Sequence, residues 1–338
     1  MASLAEVIHE TRAVREHDPT KFVSSWTEKE VLDGEVVDAF VLILRTRGCY
    51  WARKSGCSMC GYTNDCFTDV SEEDLLKQWS QALKVYGKQP VVKVYNSGSF
   101  FDPNEVPPRI RTIILKDLGR MCQKVVVESL PQLVRRPVLE EAMRLCERFE
   151  VAIGLETAND FVRDRCISKD FHFDRYLETV KVARRCGVSV KTYLLMKPPF
   201  LSERAAMVDV VASARAIDGH TDTVSINPTN VQRDTLVDRL YRKGEYRPPW
   251  LWSLVEVLKE LRKSKARVMS KPTGGGKRRG AHNCGHCDWL ILKAVEEYSL
   301  GISDWLDELD CECREDWENY LLVEDMGRCS VNLERFLS

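Results

Sequence analysis

The segment RTRGCYWARKSGCSMCGYTND, residues 45–65, determines how the rest of the chain is interpreted. It directly follows the apolar run AFVLIL at 39–44, which is typical of a buried strand. It carries Cys49, Cys57 and Cys60 on a stretch rich in glycine, serine and basic side chains. Because cationic neighbours favour thiolates, these cysteines are candidate metal ligands at the end of a strand.

Further apolar, β-branched runs continue the pattern along the chain and predict five more strands: VVKVY (91–95), KVVVES (124–129), VAIGLE (151–156), VSVKTYLL (188–195) and DTVSIN (222–227). Segments with helical apolar spacing alternate with them, near 72–86, 105–120, 137–148, 174–186, 203–217 and 250–264. Strands separated by single helices predict a parallel sheet with right-handed crossovers. Six such units predict an α/β fold, an open partial (β/α)6 barrel rather than a closed eight-fold one.

The composition limits the class of protein. The 338 residues include 50 Lys+Arg and 51 Asp+Glu, a formal charge of -1, which excludes nucleic-acid binding by bulk positive charge. No apolar run approaches a membrane span and the N-terminus lacks a signal-peptide core, so we expect a cytoplasmic chain without a membrane partner. The domain prediction is a helical extension over 1–36, the barrel over 37–265 and a small metal-binding module over 266–338.

Cysteine is unusually abundant, with 13 residues, and the odd number argues against a fully paired extracellular framework. Three thiolates at Cys49, Cys57 and Cys60 fit a [4Fe–4S] cluster with one iron left open. A structural zinc site would need a fourth ligand, for which Cys66 is available by count. A redox pair within CSMC is the remaining alternative.

A second group of cysteines lies near the C-terminus, in HNCGHCD and the later CEC. Cys284, Cys287, Cys311 and Cys313 combine a C-x-x-C pair with a C-x-C pair, which is close to the spacing of zinc ribbons. Structural zinc is the predicted occupant, with a second iron–sulfur cluster or unmetallated thiols as alternatives.

The stretch RVMSKPTGGGKRRGAH precedes this group. Its GGGK string is not a phosphate-binding loop of the P-loop type, because the upstream glycine and the Ser/Thr after lysine are missing. Lys271, Lys277, Arg278 and Arg279 suit local contacts with tRNA phosphates, and a solvated flexible linker is the alternative.

Polar segments follow the other predicted strands, and together with the cysteine loop they form a recognisable series. NSGSFFDP, ESLPQLV and ETANDFVRDRCISKD come after the second, third and fourth strands. This order resembles the radical S-adenosylmethionine enzymes, and GCSMCGY, NSGSF, ESLP and GLET…ISK resemble the radical domain of the Elongator catalytic subunit. RGCYWARKSGCSMCGY, YNSGSFFD, VVESLPQLV and RGAHNCGHCD are most similar to the archaeal family RaSEA. An Elongator-type acetyltransferase domain is not expected, because too few residues follow position 265.

The resemblance implies roles for individual residues. Cys49, Cys57 and Cys60 would ligate the [4Fe–4S] cluster, whose open iron would bind S-adenosylmethionine. Contacts with S-adenosylmethionine are implied for Ser97, Gly98, Ser99, Glu128, Glu156 and Lys169. From the residues alone, Glu156 could instead cap the following helix and Lys169 could be a solvated surface residue. No catalytic side chain is identified, although Tyr95, Cys166 and Tyr193 are candidates for quenching the product radical.

The resemblance also implies a reaction: cleavage of the lysine C–N bond of a lysine-adducted 7-cyano-7-deazaguanine in the tRNA D-loop, which gives archaeosine through a 5′-deoxyadenosyl radical. Its implied partners are tRNA, the lysine transferase ArcS and an unidentified electron donor. The alternatives are radical chemistry on another nucleoside or a small molecule, or a non-catalytic zinc-binding RNA adaptor.

Overall fold

One eight-stranded sheet forms the centre of the computed structural model, which describes residues 3–13 and 15–327, with side chains described up to residue 324. The strands lie in the sheet in chain order: β1 (Ser24–Leu32), β2 (Glu35–Ile43), β3 (Val91–Tyr95), β4 (Lys124–Glu128), β5 (Phe149–Glu156), β6 (Ser189–Met196), β7 (Thr223–Pro228) and β8 (Arg267–Met269). β1 pairs antiparallel with β2, and every later neighbour pairs in parallel.

Helices connect the parallel strands, as the alternating pattern predicts. The helices are α1 (Leu4–Glu10), α2 (Tyr50–Lys54), α3 (Glu72–Val85), α4 (Pro108–Met121), α5 (Arg136–Leu145), α6 (Asp160–Val162), α7 (Phe173–Arg185), α8 (Glu203–Ile217), α9 (Leu236–Arg242), α10 (Leu251–Glu260), α11 (Asp288–Leu300) and α12 (Cys313–Gly327). The main apolar core lies between the sheet and the helices, with Leu42, Val94, Ile114 and Trp252 fully or almost fully buried in it. None of the described helices has the length and apolar character needed to cross a lipid bilayer.

The predicted α/β partial barrel is confirmed. The six predicted strands correspond to β2–β7, and the six predicted crossover helices correspond to α3, α4, α5, α7, α8 and α10. Glu30 on β1 contacts Lys191 on β6, although four strands lie between β1 and β6 in the sheet order. This contact shows that the sheet is curled. The carboxyl ends of the parallel strands therefore surround one mouth of a lumen.

The segment predicted to be a helical extension, 1–36, differs from that prediction. Within its described residues only α1 is helical, and β1 then forms a hairpin with β2. Asp33 and Gly34 connect the two strands, and both have positive φ, as a two-residue hairpin turn of the type I′ kind requires. β1 was not predicted because its lumen-facing side chains include Glu28 and Glu30 instead of apolar residues.

The segment 266–338, predicted to be a separate module, begins with β8, which pairs with β7 in the same sheet. Its helices α11 and α12 bury Ile291 and Trp317 in the main core. The described part of this segment therefore packs as a continuation of the barrel, and residues 328–338 lie outside the described residues.

Candidate functional site

The three-cysteine loop lies at the carboxyl end of β2, at the mouth of the lumen. Cys49 occupies the N-cap position of α2, and Cys57 and Cys60 follow that short helix. Ser58 fixes the loop to the far side of the mouth, since its backbone N–H and its Oγ donate to the carbonyls of Ile167 and Cys166 at 2.8 and 2.7 Å.

The NSGS turn after β3 packs directly on Cys49. The backbone N–H of Cys49 donates to Ser97 Oγ at 3.3 Å. A Cβ added at Gly98 would lie 2.8 Å from Cys49 Cα and 2.2 Å from Glu105 Oε1. The turn and the cysteine loop are thus in contact at a distance that only glycine permits.

Glu105, which the sequence did not single out, joins these two loops. Its Oε2 accepts hydrogen bonds from Thr46 Oγ1 and Asn96 Nδ2, both at 2.7 Å, and its Oε1 accepts from the Ser99 N–H at 2.8 Å. Burial raises the pKa of Glu105 to about 7. The buried carboxyl group therefore joins, through hydrogen bonds, the residues before Cys49 and the turn that contacts Cys49.

We expect Gly98→Ala to destabilise this contact. The new methyl group would clash with the backbone of Cys49 and with the hydrogen-bonded Glu105 carboxylate, so the NSGS turn and the cysteine loop must separate. We expect the free energy of unfolding to fall by about 1–3 kcal/mol. Urea unfolding should show this loss, and the iron bound per chain after reconstitution should fall.

Gly87→Ala is the matched control. There the nearest atoms belong to the far end of the Gln89 side chain, which can move. If the two alanine variants unfold alike and bind equal iron, the close approach at Gly98 does not organise the site.

The three thiols are suited to a metal cluster rather than to free thiolates. Burial raises the pKa of Cys49 to about 11 and shifts the pKa values of Cys57 and Cys60 in the same direction. They therefore stay protonated near neutral pH unless a bound metal deprotonates them. Lys169 faces Cys57 and Cys60, and Arg12 faces Cys60, so positive charge is present to balance an anionic cluster.

The two cysteine groups differ in how closely their sulfur atoms lie together. In the part of the chain that the structure describes, the four C-terminal cysteines are the only group of three or more cysteines whose sulfur atoms all lie within 4.8 Å of one another. Cys49, Cys57 and Cys60 do not form such a group.

Cys66 lies beside Gly48 and Ser97, close to the start of the cysteine loop. Its Sγ is 2.9 Å from where a Cβ on Gly48 would be, and it donates to the Tyr62 carbonyl at 3.6 Å. Burial raises the pKa of the Cys66 thiol to about 12. Cys66 thus packs against Gly48, the residue before Cys49.

Glu156 and Lys169 form a buried ion pair at the end of β5. Lys169 Nζ donates to Glu156 Oε1 at 2.5 Å and to the Gly154 carbonyl at 2.6 Å, and its side chain is only 9% exposed. Lys169 is therefore not a solvated surface residue. Glu156 does not cap the following helix either, because Asn159 is the N-cap of α6. A cavity of about 310 Å³ opens beside Lys169 and is also lined by Trp51 and Asp164.

Glu128, at the end of β4, lies close to three tyrosines, of which Tyr62 is half exposed. Burial and the nearby Glu156 raise its pKa to about 7. Tyr193 hydrogen-bonds to Glu128 and lies with its hydroxyl 3.5 Å from that of Tyr95. Tyr62, which the sequence did not single out, also faces Glu128 and Cys60. Cys166 is fully buried, and its carbonyl accepts the Ser58 hydrogen bond.

The C-terminal cysteines form a compact four-thiol group. Cys284 Sγ lies 3.8 Å from the Sγ atoms of Cys287 and Cys311, and Cys287 Sγ lies 3.6 Å from that of Cys313. Cys287 is the N-cap of α11 and Cys313 is the first residue of α12. Although burial alone would raise the pKa of Cys284, backbone hydrogen bonds from Cys287 and His286 lower it to about 7. The group has the ligand number and compactness of a tetrahedral metal site.

Two curated proteins align with almost the whole chain. Archaeosine synthase subunit beta from Methanosarcina acetivorans is 39% identical over 312 residues, which cover 89% of this chain and 90% of that protein. Archaeosine synthase subunit beta from Thermococcus kodakarensis is 39% identical over 306 residues, which cover 87% and 94%. The chain belongs to the archaeosine synthase subunit beta family. The resemblance predicted from the cysteine loop and its neighbouring turns is thereby confirmed.

Other comparisons add less to the assignment to the archaeosine synthase subunit beta family. No protein-family model matches the chain. Among solved structures, Elp3 from the archaeon Methanocaldococcus infernus, with residues 1–46 deleted, aligns at 14% identity and a TM-score of 0.49, over 68% of this chain and 59% of that one.

In this chain, the glycine-rich basic stretch that precedes the C-terminal cysteines forms a compact turn rather than an extended linker. Gly276 N–H donates to the Ala281 carbonyl at 2.8 Å, and Gly280 N–H donates to the Lys277 carbonyl at 2.9 Å. Lys277 and Arg278 are exposed at its tip. The other two predicted RNA contacts are engaged within the chain, because Lys271 pairs with Glu28 and Arg279 with Asp238.

Proposed function

We propose that this chain is the radical S-adenosylmethionine subunit of an archaeosine synthase. In this proposal it cleaves the lysine C–N bond of a lysine-adducted 7-cyano-7-deazaguanine in the tRNA D-loop and leaves archaeosine. The observation that carries the proposal is identity of 39% over about nine-tenths of the chain with two proteins named archaeosine synthase subunit beta. The cysteine loop at the barrel mouth supports it.

The residues that would hold the cofactor are Cys49, Cys57 and Cys60, for a [4Fe–4S] cluster. When bound, the reduced cluster and S-adenosylmethionine would supply a 5′-deoxyadenosyl radical that takes a hydrogen atom from the lysine carbon next to the bond to be broken. The chain's own contribution is to bind, orient and shield these groups at the mouth.

Ser97, Gly98 and Ser99 would bind the methionine end of S-adenosylmethionine, because their turn lies against Cys49. Glu128, Glu156 and Lys169 line the same mouth and would bind its ribose hydroxyl, ammonium or carboxylate groups. At pH 7 the raised pKa of Glu128 leaves a substantial fraction of this carboxyl protonated, so it can both accept and donate hydrogen bonds.

The partners belong to the same proposal. The name "subunit beta" of the relatives implies a second subunit, and we propose that it is the lysine transferase ArcS, which would supply the lysine adduct. The tRNA would contact Lys277 and Arg278 at the glycine-rich turn, where they are exposed. An electron donor of unidentified nature completes the system, and the compartment would be the cytoplasm.

The proposal is tested by anaerobic reconstitution with iron and sulfide, dithionite reduction with S-adenosylmethionine, and chromatography for 5′-deoxyadenosine. We expect product from the wild type that rises with lysine-adducted tRNA, and none above background from Cys57→Ala. Cys122→Ala is the control, because Cys122 is outside both cysteine groups and donates to the Leu118 carbonyl.

Two results would contradict parts of the proposal. Deoxyadenosine that does not respond to the adducted tRNA would point to another nucleoside or a small molecule. A chain that holds its cluster and forms no deoxyadenosine would not be a radical enzyme, and the metal-binding RNA adaptor would be the better account.

A further inference from the structure

The chain segment before β1 lies against the cysteine loop. Ile8 of α1 is buried in a small apolar cluster with Val237 and Leu240 of α9, and Met59, between Cys57 and Cys60, packs against that cluster. His17 Nε2 lies 2.6 Å from the Asn64 carbonyl, within the turn that follows Cys60. The segment is thus fixed at both ends to the elements around the loop.

Arg12 lies between these two attachments and reaches Gly56, next to Cys57. A Cβ added at Gly56 would be 1.5 Å from Arg12 Nη2 and 2.6 Å from its Cζ. Gly56 also has a φ of +88°, which L side chains rarely adopt. The guanidinium therefore fills the space that a side chain at position 56 would take, and its charge acts on the Cys60 thiol.

One donor of this guanidinium has no acceptor within the described residues. Arg12 Nη2 is buried and forms no hydrogen bond. A buried donor without a partner costs about 1–3 kcal/mol, and more when it is charged. Lys169, the other cation that faces the thiols, differs in this respect, because Glu156 and the Gly154 carbonyl accept its hydrogen bonds.

We infer that Arg12 donates its free N–H to a sulfur of the cluster held by Cys49, Cys57 and Cys60 and raises the reduction potential of that cluster. A cation and a hydrogen bond at sulfur stabilise the more negative, reduced form over the oxidised one. The inference rests on the proposed function only in requiring a [4Fe–4S] cluster on this loop. Arg12 acts here as a tuning residue that touches the cofactor.

The test is a redox titration followed by electron paramagnetic resonance of the reduced cluster, without S-adenosylmethionine. For Arg12→Gln we expect about a tenfold fall in the ratio of reduced to oxidised cluster at a fixed potential, which corresponds to ~59 mV for one electron. Arg12→Lys keeps the positive charge, so the ratio of reduced to oxidised cluster should fall less in this variant. Arg15→Gln is the control, because Arg15 belongs to the same segment but pairs with Asp234.

Gly56→Ala provides a second variant that keeps Arg12 and displaces its guanidinium. It should also lower the reduction potential of the cluster. The double variant Gly56→Ala with Arg12→Gln should have a potential no lower than that of Arg12→Gln alone. Unfolding curves of all variants show whether the chain is still folded.

The outcomes separate this inference from the proposed function. A wild type that binds no cluster overturns both. A wild type with a cluster whose potential equals that of Arg12→Gln overturns the inference alone. So does an unchanged potential with weakened binding of S-adenosylmethionine, because the guanidinium would then serve the carboxylate of that ligand.

Discussion

Glu30→Ala is expected to lower the free energy of unfolding by about 3–5 kcal/mol, the range measured when one partner of a buried ion pair is removed. Glu30 is 1% exposed and lies 2.5 Å from Lys93 Nζ, 3.3 Å from Lys191 Nζ and 3.1 Å from Arg267 Nη1. These cations come from β3, β6 and β8, so one carboxylate on β1 connects both edges of the curled sheet. Without it, two buried lysines lose a counter-ion.

The pH dependence follows from the same contacts. Although burial alone would raise the pKa of Glu30, Lys191 and Lys93 hold it far below the ordinary value of 4.5. A carboxyl whose pKa is lower in the folded state contributes stability at pH values above 4.5 and loses it as the pH falls below that value. We therefore expect the wild type to lose stability steeply in acid and the Glu30→Ala variant to lose less.

Urea unfolding at pH 7 and at pH 3 measures both effects. Asp38→Ala is the control, because Asp38 lies on the same hairpin and forms an ion pair with Lys29 at 2.8 Å in which both side chains are about half exposed. Such surface pairs contribute about 0–1 kcal/mol. If the two variants unfold at the same urea concentration, the lumen network does not hold the sheet together.

This network also explains where sequence reasoning succeeded and failed on the fold. β3 and β6 were recognised because apolar, β-branched residues surround Lys93 and Lys191. β1 was not, because its inward positions carry the complementary carboxylates Glu28 and Glu30. The signal that was available is the pairing itself: isolated lysines inside two apolar strands require buried acidic partners elsewhere in the chain.

In the candidate site, too, some residues could be predicted from the sequence and others could not. Cys49, Cys57 and Cys60 lie close together in the chain, so their spacing was informative. Glu105 and Arg12 reach the cysteine loop only through tertiary folding, and no local pattern distinguishes them from surface charges. Gly56 and Gly98 carried a signal, since each removes a side chain where another group must approach.

Cys313→Ser is expected to release the metal from the C-terminal site and to destabilise the chain by several kcal/mol. Structural zinc contributes about 10–16 kcal/mol of apparent binding free energy in small zinc-finger peptides. Here Cys313 begins α12 and accepts a hydrogen bond from Trp252 Nε1 at 3.3 Å, while Cys287 occupies the N-cap position of α11. One ion held by all four thiols would therefore join both helices to α10. Cys146→Ser is the matched control, because Cys146 is equally buried and lies outside both cysteine groups.

Metal analysis of Cys313→Ser beside Cys57→Ala, after reconstitution, distinguishes the two cysteine groups. We expect Cys313→Ser to lose about one zinc ion per chain and to keep iron and sulfide, and Cys57→Ala to do the reverse. The physical reason is that four sulfur atoms within 4.8 Å of one another suit one tetrahedral ion, whereas three cysteines on one loop leave one iron of a [4Fe–4S] cluster without a protein ligand. Iron and sulfide lost from Cys313→Ser with zinc unchanged would identify a second iron–sulfur cluster. Unchanged metal content in that variant would show that the four C-terminal thiols bind no metal and that their compact arrangement comes from packing alone.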